Sequence, residues 1–254
     1  MSLQACAELV QRGDPDRFLS VMAAPVAARA VLFPLYAMNV EVARAPWVTQ
    51  EEMIAEMRLQ WWRDAVEEIA VSKPVRQHEV VTPLSGVVTP EIAGQLDDMI
   101  AARRWDIYRD PFEDRAAFDA HIDRTAGTLM WVAARTLGDA DEGVVRDFAW
   151  GAGLAGWLRA IPELEARGRV PLVEGSPEAV RALAQEGLDR LSRARAARGK
   201  VSAAARPALL AGWQAGALLR QAAVDPGRVA EGTLGQSEAR RKLTLMARAA
   251  TGRW

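Results

Sequence analysis

Cysteine is almost missing from this 254-residue chain. Cys6 stands alone, which excludes an internal disulfide and a cysteine metal cluster and leaves the redox compartment open. Histidine is nearly as scarce: only His78 and His121 occur, neither in a metal-ligand spacing, and no nucleophile-elbow pattern supports a Ser/His/Asp site. Lysine is confined to Lys73, Lys200 and Lys242, all other basic side chains being arginine. With the abundance of alanine, that bias reads as the mark of a G+C-rich bacterial genome, although a planar guanidinium also suits bidentate binding of phosphate or carboxylate. Long apolar runs are lacking as well. The start, "MSLQACAELVQRGDPDRF", has no basic region leading into an apolar stretch, and no segment approaches the roughly 20 uninterrupted apolar residues that span a bilayer. The expected location is the cytoplasm. A net charge of -1 gives no sign of nucleic-acid binding.

What the chain does have is helix punctuation. Asp14-Pro15, Thr89-Pro90, Asp110-Pro111, Ser176-Pro177 and Asp225-Pro226 each pair a side-chain oxygen able to accept an orphan N–H with a proline suited to the first helical position. Thr49 with Glu52 has the form of a capping box. In "MIAEMRLQWWRDAVEEI", Met53, Met57, Trp61, Ala65 and Ile69 recur every four residues, the spacing expected of a buried stripe. The signals predict helices over 3–12, 15–45, 50–71, 90–109, 111–137, 142–161, 177–198, 203–223 and 236–250, with Pro25 and Pro34 breaking or kinking the second. Residues 72–89 are expected as a loop or one short helix. In "DFAWGAGLAGWLRAI" the glycines 151, 153 and 156 weaken a helix by up to about 1 kcal/mol each, which makes sense where a backbone or ligand comes close. "GAGLAG" itself fails as a nucleotide loop because no strand precedes it. Without an internal repeat or linker, residues 1–254 read as one domain.

Charged clusters are ambiguous on residue type alone. Asp97 and Asp98 form the only adjacent aspartate pair, and Arg103, Arg104 and Asp106 in the same predicted helix explain them as intrahelical charge pairing. In "WLRAIPELEARGRVPL" a buried-type helix is expected to end at Pro162 and run into Glu163, Glu165, Arg167 and Arg169. Arginines there suit either an anion at a cavity mouth or a solvated helix end. Arg58, Trp62 and Arg63 pose the same choice between pocket lining and packing. The "RARAARGK" stretch is a basic helix end favoured by the helix dipole.

Four stretches in order resemble the squalene/phytoene synthase family of all-helical prenyltransferases. "LYAMNVEVARAP" looks like its first aspartate-bearing helix, "MRLQWWRDAV" like its tryptophan- and arginine-containing segment, "TAGTLMWVAARTLG" like its threonine/glycine helix, and "GAGLAGWLRAIPELEARGRVPL" like its second aspartate region. The resemblance covers roughly residues 15–175. It implies an all-α, single-domain, isoprenoid-synthase-like bundle around a central cavity, in which two DxxxD-type motifs hold Mg²⁺ and ionise a prenyl diphosphate. Here the aspartate positions fall at Ala43 and Trp47 in the first motif and at Ala160 and Leu164 in the second. None can ligate Mg²⁺. At 1.36 kcal/mol per factor of ten, losing several kcal/mol of metal stabilisation costs roughly 10³ in rate and upward. No cofactor and no metal site is therefore expected.

The resemblance extends to an aspartate-poor branch associated with assembly of respiratory complex I. That implies a non-catalytic assembly or interaction factor, with a respiratory-complex subunit or a prenyl lipid as partner and peripheral contact at the inner face of the membrane. The candidate cavity or phosphate-binding set is Tyr36, Asn39, Arg58, Trp62, Arg63, Arg159, Glu163, Arg167 and Arg169. The alternative is a divergent prenyltransferase using Mg²⁺ on Glu41, Asp97, Asp98, Glu163 or Glu165, and a third reading is a prenyl-lipid carrier.

Overall fold

The computed structural model describes residues 2–49 and 51–254. Among these residues there is no strand, only an isolated antiparallel bridge between Ala140 and Val201. Helices α1 (Leu3–Gly13) and α2 (Pro15–Ala23) lead into α3 (Val26–Arg44), which continues as a 3₁₀ turn over Ala45–Trp47. Then come α4 (Glu52–Ala70), the short α5 (Val81–Ser85) and α6 (Pro90–Ala102), the last ending in a 3₁₀ turn over Arg103–Asp106. A single π turn, Asp123–Gly127, joins α7 (Arg115–Ile122) to α8 (Thr128–Leu137). The 25-residue α9 (Glu142–Ala166) packs against α10 (Pro177–Ala196), and α11 (Arg206–Leu209), α12 (Ala215–Val224), α13 (Gly227–Ala230) and α14 (Glu238–Thr251) complete the chain.

Three of the capping signals act as read. Asp14 accepts from Arg17 N, Thr89 from Ile92 N and Ser176 from Ala179 N, each satisfying a donor that the first helical turn leaves free. Asp110-Pro111 does not start a helix. Asp114 caps α7 instead, because Phe112 is drawn into a stack on Trp105, with centroids 4.3 Å apart and 2° between planes. The Thr49–Glu52 box is also absent: Thr49 Oγ1 accepts from Glu51 N, and α4 begins at Glu52, while the expected start at residue 50 lies outside the described residues. Asp225-Pro226 opens only the one-turn α13, without a side-chain cap.

Prolines act unequally. Pro25 separates α2 from α3, whereas Pro34 and Pro162 sit inside continuous helices. The expected end of α9 at Pro162 is thus overturned: the helix runs on to Ala166, with the Pro162 ring against Gly232. The predicted helix over 203–223 is likewise divided into α11, a 3₁₀ turn over Leu210–Gly212, and α12.

On α4 the inward stripe is Ala55, Leu59, Trp62, Val66 and Ile69, while Met53 and Met57 are 75% and 66% exposed. A strict four-residue repeat advances roughly 40° per step on a 3.6-residue helix, so the stripe traced from Met53 begins on the wrong face and drifts onto the buried one at Ala65 and Ile69. One core cluster runs through most of the bundle, including Leu32, Tyr36, Phe118, Phe148, Trp150 and Leu219. At its centre, α9 uses its glycines for close approach. A Cβ on Gly151 would lie 2.9 Å from the Gly187 carbonyl oxygen on α10, and one on Gly153 would lie 2.6 Å from the Ala126 Cβ. The segment Val26–Trp47 has the length and hydropathy to cross a membrane, and 61% of its most apolar window is buried inside the bundle.

Candidate functional site

A cavity of about 290 Å³ lies between α3, the π turn with α8, and α9. Helical spacing explains its walls. Tyr36, Asn39 and Ala43 share one face of α3, and Trp47 continues that face in the following turn. From α9, Ala149, Ala152, Gly153, Gly156, Trp157, Ala160 and Leu164 form the facing stripe. The four positions that the first and second motifs would fill with aspartate, Ala43, Trp47, Ala160 and Leu164, all line this one cavity.

Its polar groups are few. Burial pushes the Tyr36 phenol up to about 12, and its hydroxyl donates to the Ala208 carbonyl at 3.4 Å. Asn39 is buried, with Oδ1 unpartnered. Thr125 donates to the His121 carbonyl at 2.6 Å across the π turn. Arg17 pairs with Asp14 at 2.7 Å. Asp106 is the one carboxylate among the lining residues; desolvation raises its pKa, while Arg103, 3.3 Å away, opposes that rise.

This donor set does not fit Mg²⁺, which is normally held by one or two carboxylates together with waters and substrate phosphates. Alanine, tryptophan, alanine and leucine supply no oxygen, and Asp106 is committed to Arg103. Among the described residues no group of three His, Cys, Asp or Glu side chains is placed to hold a metal. The alternative carboxylates lie elsewhere. Glu41 is 3.7 Å from Arg44, Asp97 pairs with Arg63, Glu163 pairs with Arg167, Glu165 lines a separate pocket, and Asp98 does not line the cavity.

The remaining candidates divide. Arg58 is exposed on α4. Trp62 is buried in the core edge-on to Trp61 and His78. Arg63 makes a fork with Asp97 on α6 at 2.7 and 3.0 Å, so this aspartate is tied across two helices rather than within one. Arg159 meets Asp16 at 2.9 Å. Arg167 and Arg169 reach the cavity edge through Trp47, their guanidinium carbons 4.7 and 5.3 Å from its ring centroid. Arg169 is buried and donates to the Asp106 and Ile107 carbonyls; desolvation lowers its pKa. Sequence reasoning missed Arg17, Arg103, Asp106 and Thr125 as cavity residues. For Arg103 and Asp106 the three-residue spacing reads as an ordinary intrahelical pair, which it also is.

An all-helical bundle with two motif helices facing across a central cavity is the isoprenoid-synthase fold. Residues 10–175 match the squalene/phytoene synthase family model, and the chain belongs to that family. A dehydrosqualene synthase crystal structure superposes with a TM-score of 0.79 at 14% identity, over 98% of this chain and 95% of that one. A squalene synthase from Alicyclobacillus acidocaldarius gives 0.62 at 13% identity, over 98% and 92%. Among curated proteins, the human NADH dehydrogenase (ubiquinone) complex I assembly factor 6 is 24% identical over 169 residues, 65% of this chain and 51% of the human protein. The Drosophila melanogaster homolog is 24% identical over 194 residues, 73% and 58%. This chain therefore spans about half the length of the curated relatives it matches.

Proposed function

We propose that this chain is a non-catalytic squalene/phytoene synthase-like protein acting as an assembly or interaction factor for respiratory complex I. The observation that carries the reading is the cavity wall: Ala43, Trp47, Ala160 and Leu164 stand where two carboxylate pairs would have to face each other. The names of the human and fly relatives supply the partner. The setting is a bacterial cytoplasm, with peripheral contact at the inner face of the membrane. The cavity has outlasted its metal chemistry, and its mainly apolar wall favours a second reading in which it holds a prenyl lipid.

Two measurements test this. Calorimetric titration of farnesyl diphosphate with and without Mg²⁺ is expected to show no metal-dependent binding; tight binding only with Mg²⁺ would restore the prenyltransferase alternative. Deleting the gene in its own host and resolving membranes on native gels is expected to deplete assembled complex I, with rescue by the intact chain. Unchanged complex I would refute the assembly role and leave the prenyl-lipid reading to be tested by mass spectrometry of lipid co-purified with the protein.

A further inference from the structure

A second polar site lies beyond residue 175, outside the segment that the family model matches. Three arginines from three helices meet there: Arg195 from α10, Arg220 from α12 and Arg248 from α14. About half of the arginines pair with a carboxylate side chain, whereas none of these three has an aspartate or glutamate within 4 Å among the described residues. Arg195 donates through Nε to the Trp254 oxygen at 2.9 Å and lies 5.5 Å from the Phe148 ring, while its buried Nη2 has no partner. Arg195 and Arg220 meet beside Gly216, which is itself buried. A methyl group on that residue would lie 3.5 Å from Arg220 Nη1 and 3.6 and 3.7 Å from Arg195 Nη1 and Nη2, so two guanidinium groups converge on space that glycine leaves free.

Three clustered guanidinium groups, two of them half-buried and none with an aspartate or glutamate beside it, repel one another, and an anion that joins them offsets that repulsion. Burial first, then Arg248 and Arg220, bring Arg195 down to about 10; burial and Arg220 also lower Arg248. Burial is the larger cause in both, and the repulsion that adds to it places the three cations near one another. A phosphate group matches the cluster, because its two negative charges and several acceptor oxygens can be shared by guanidinium forks arriving from different directions.

We infer that Arg195, Arg220 and Arg248 form a phosphate-binding site beside Gly216, separate from the central cavity. The phosphate is either free or the headgroup of an anionic lipid. The exposed Leu243 and Met246 on α14 make the second source testable at a bilayer surface.

The test uses the full chain at constant ionic strength. Thermal shift and calorimetry with inorganic phosphate are run beside co-sedimentation with phosphatidylcholine vesicles with and without phosphatidic acid. Saturable binding of inorganic phosphate identifies a free-phosphate site, and binding confined to phosphatidic acid vesicles identifies a lipid headgroup. In either case Arg220→Gln and Arg248→Gln are expected to weaken binding at least tenfold. Arg220→Glu places a carboxylate beside Arg195 and Arg248, and is expected to abolish binding while melting higher than Arg220→Gln in phosphate-free buffer. Arg195 is left intact because it packs on Phe148. No saturable response of the unmodified chain to either probe, or responses that survive Arg220→Glu, overturns the site and leaves the cluster as an anchor for Trp254.

Discussion

Substituting alanine for glycine at positions 151 and 156 of α9 should move stability in opposite directions. In each case alanine gains up to about 1 kcal/mol of helix propensity. At Gly156 nothing lies within 4 Å of the new methyl, so Gly156→Ala keeps that gain. At Gly151 the methyl would lie 2.8 Å from Leu191 Cγ and 2.9 Å from the Gly187 carbonyl oxygen. A leucine can rotate, but the carbonyl belongs to the helix wall of α10, which puts the overpacking cost at the upper end of about 1–3 kcal/mol. The net loss for Gly151→Ala is about 2 kcal/mol, leaving the variants about 3 kcal/mol apart. At roughly 2–4 °C per kcal/mol for a domain of this size, Tm should differ by about 6–12 °C. Urea and thermal melts followed by far-UV circular dichroism measure both. Equal stabilities, or shifts of the same sign, would refute the close α9–α10 approach.

Other consequences can be measured in the same way. Burial holds His121 down to about 3, against an ordinary value of 6.5, among Trp105, Phe112 and Trp157. The unfolded chain therefore takes up this proton first, so the stability associated with the neutral ring is present above about pH 6.5 and is lost as pH falls toward 3. Between pH 6.5 and 5 the loss is about 2 kcal/mol, and His121→Phe should remove that slope in chemical melts. A double-mutant cycle on Arg63 and Asp97, both about one-third exposed, should give a coupling of about 0.5–1 kcal/mol that shrinks in high salt. Trp47→Leu removes the ring beneath Arg167 and Arg169 and should cost about 1–2 kcal/mol by urea denaturation, with no gain of Mg²⁺ binding.

Much of the fold was legible because it is encoded locally. Asp14, Thr89 and Ser176 act within three residues of their own helix starts, so the chain announces those boundaries without tertiary information. Asp110 carries the same signal and fails because Phe112 is claimed by Trp105. The central cavity was half legible: Tyr36, Asn39 and the four substituted motif positions fall where family spacing puts them. Of Arg58, Arg63 and Arg159, two are tied to half-buried aspartates away from the cavity wall and Arg58 is exposed, which residue type alone does not tell. The arginines around Gly216 could not be read, since each looks like an ordinary surface cation until three distant helices bring them together.

The helix that carries Tyr36 and Asn39 also has a history within each round of synthesis. Residues 26–47 have the hydropathy of a membrane-crossing segment, yet α8, one of the helices that covers them, begins only at Thr128. At ~5–20 residues per second, a ribosome leaves that apolar segment without this cover for on the order of ten seconds. At the start of that interval α1 and α2 are the synthesised partners that can shield it, before α4 and α5 emerge and add to the cover. The two short leading helices, the second of which also brings Arg17 to the cavity wall, therefore bear on how long the apolar face of α3 stays uncovered before the bundle closes.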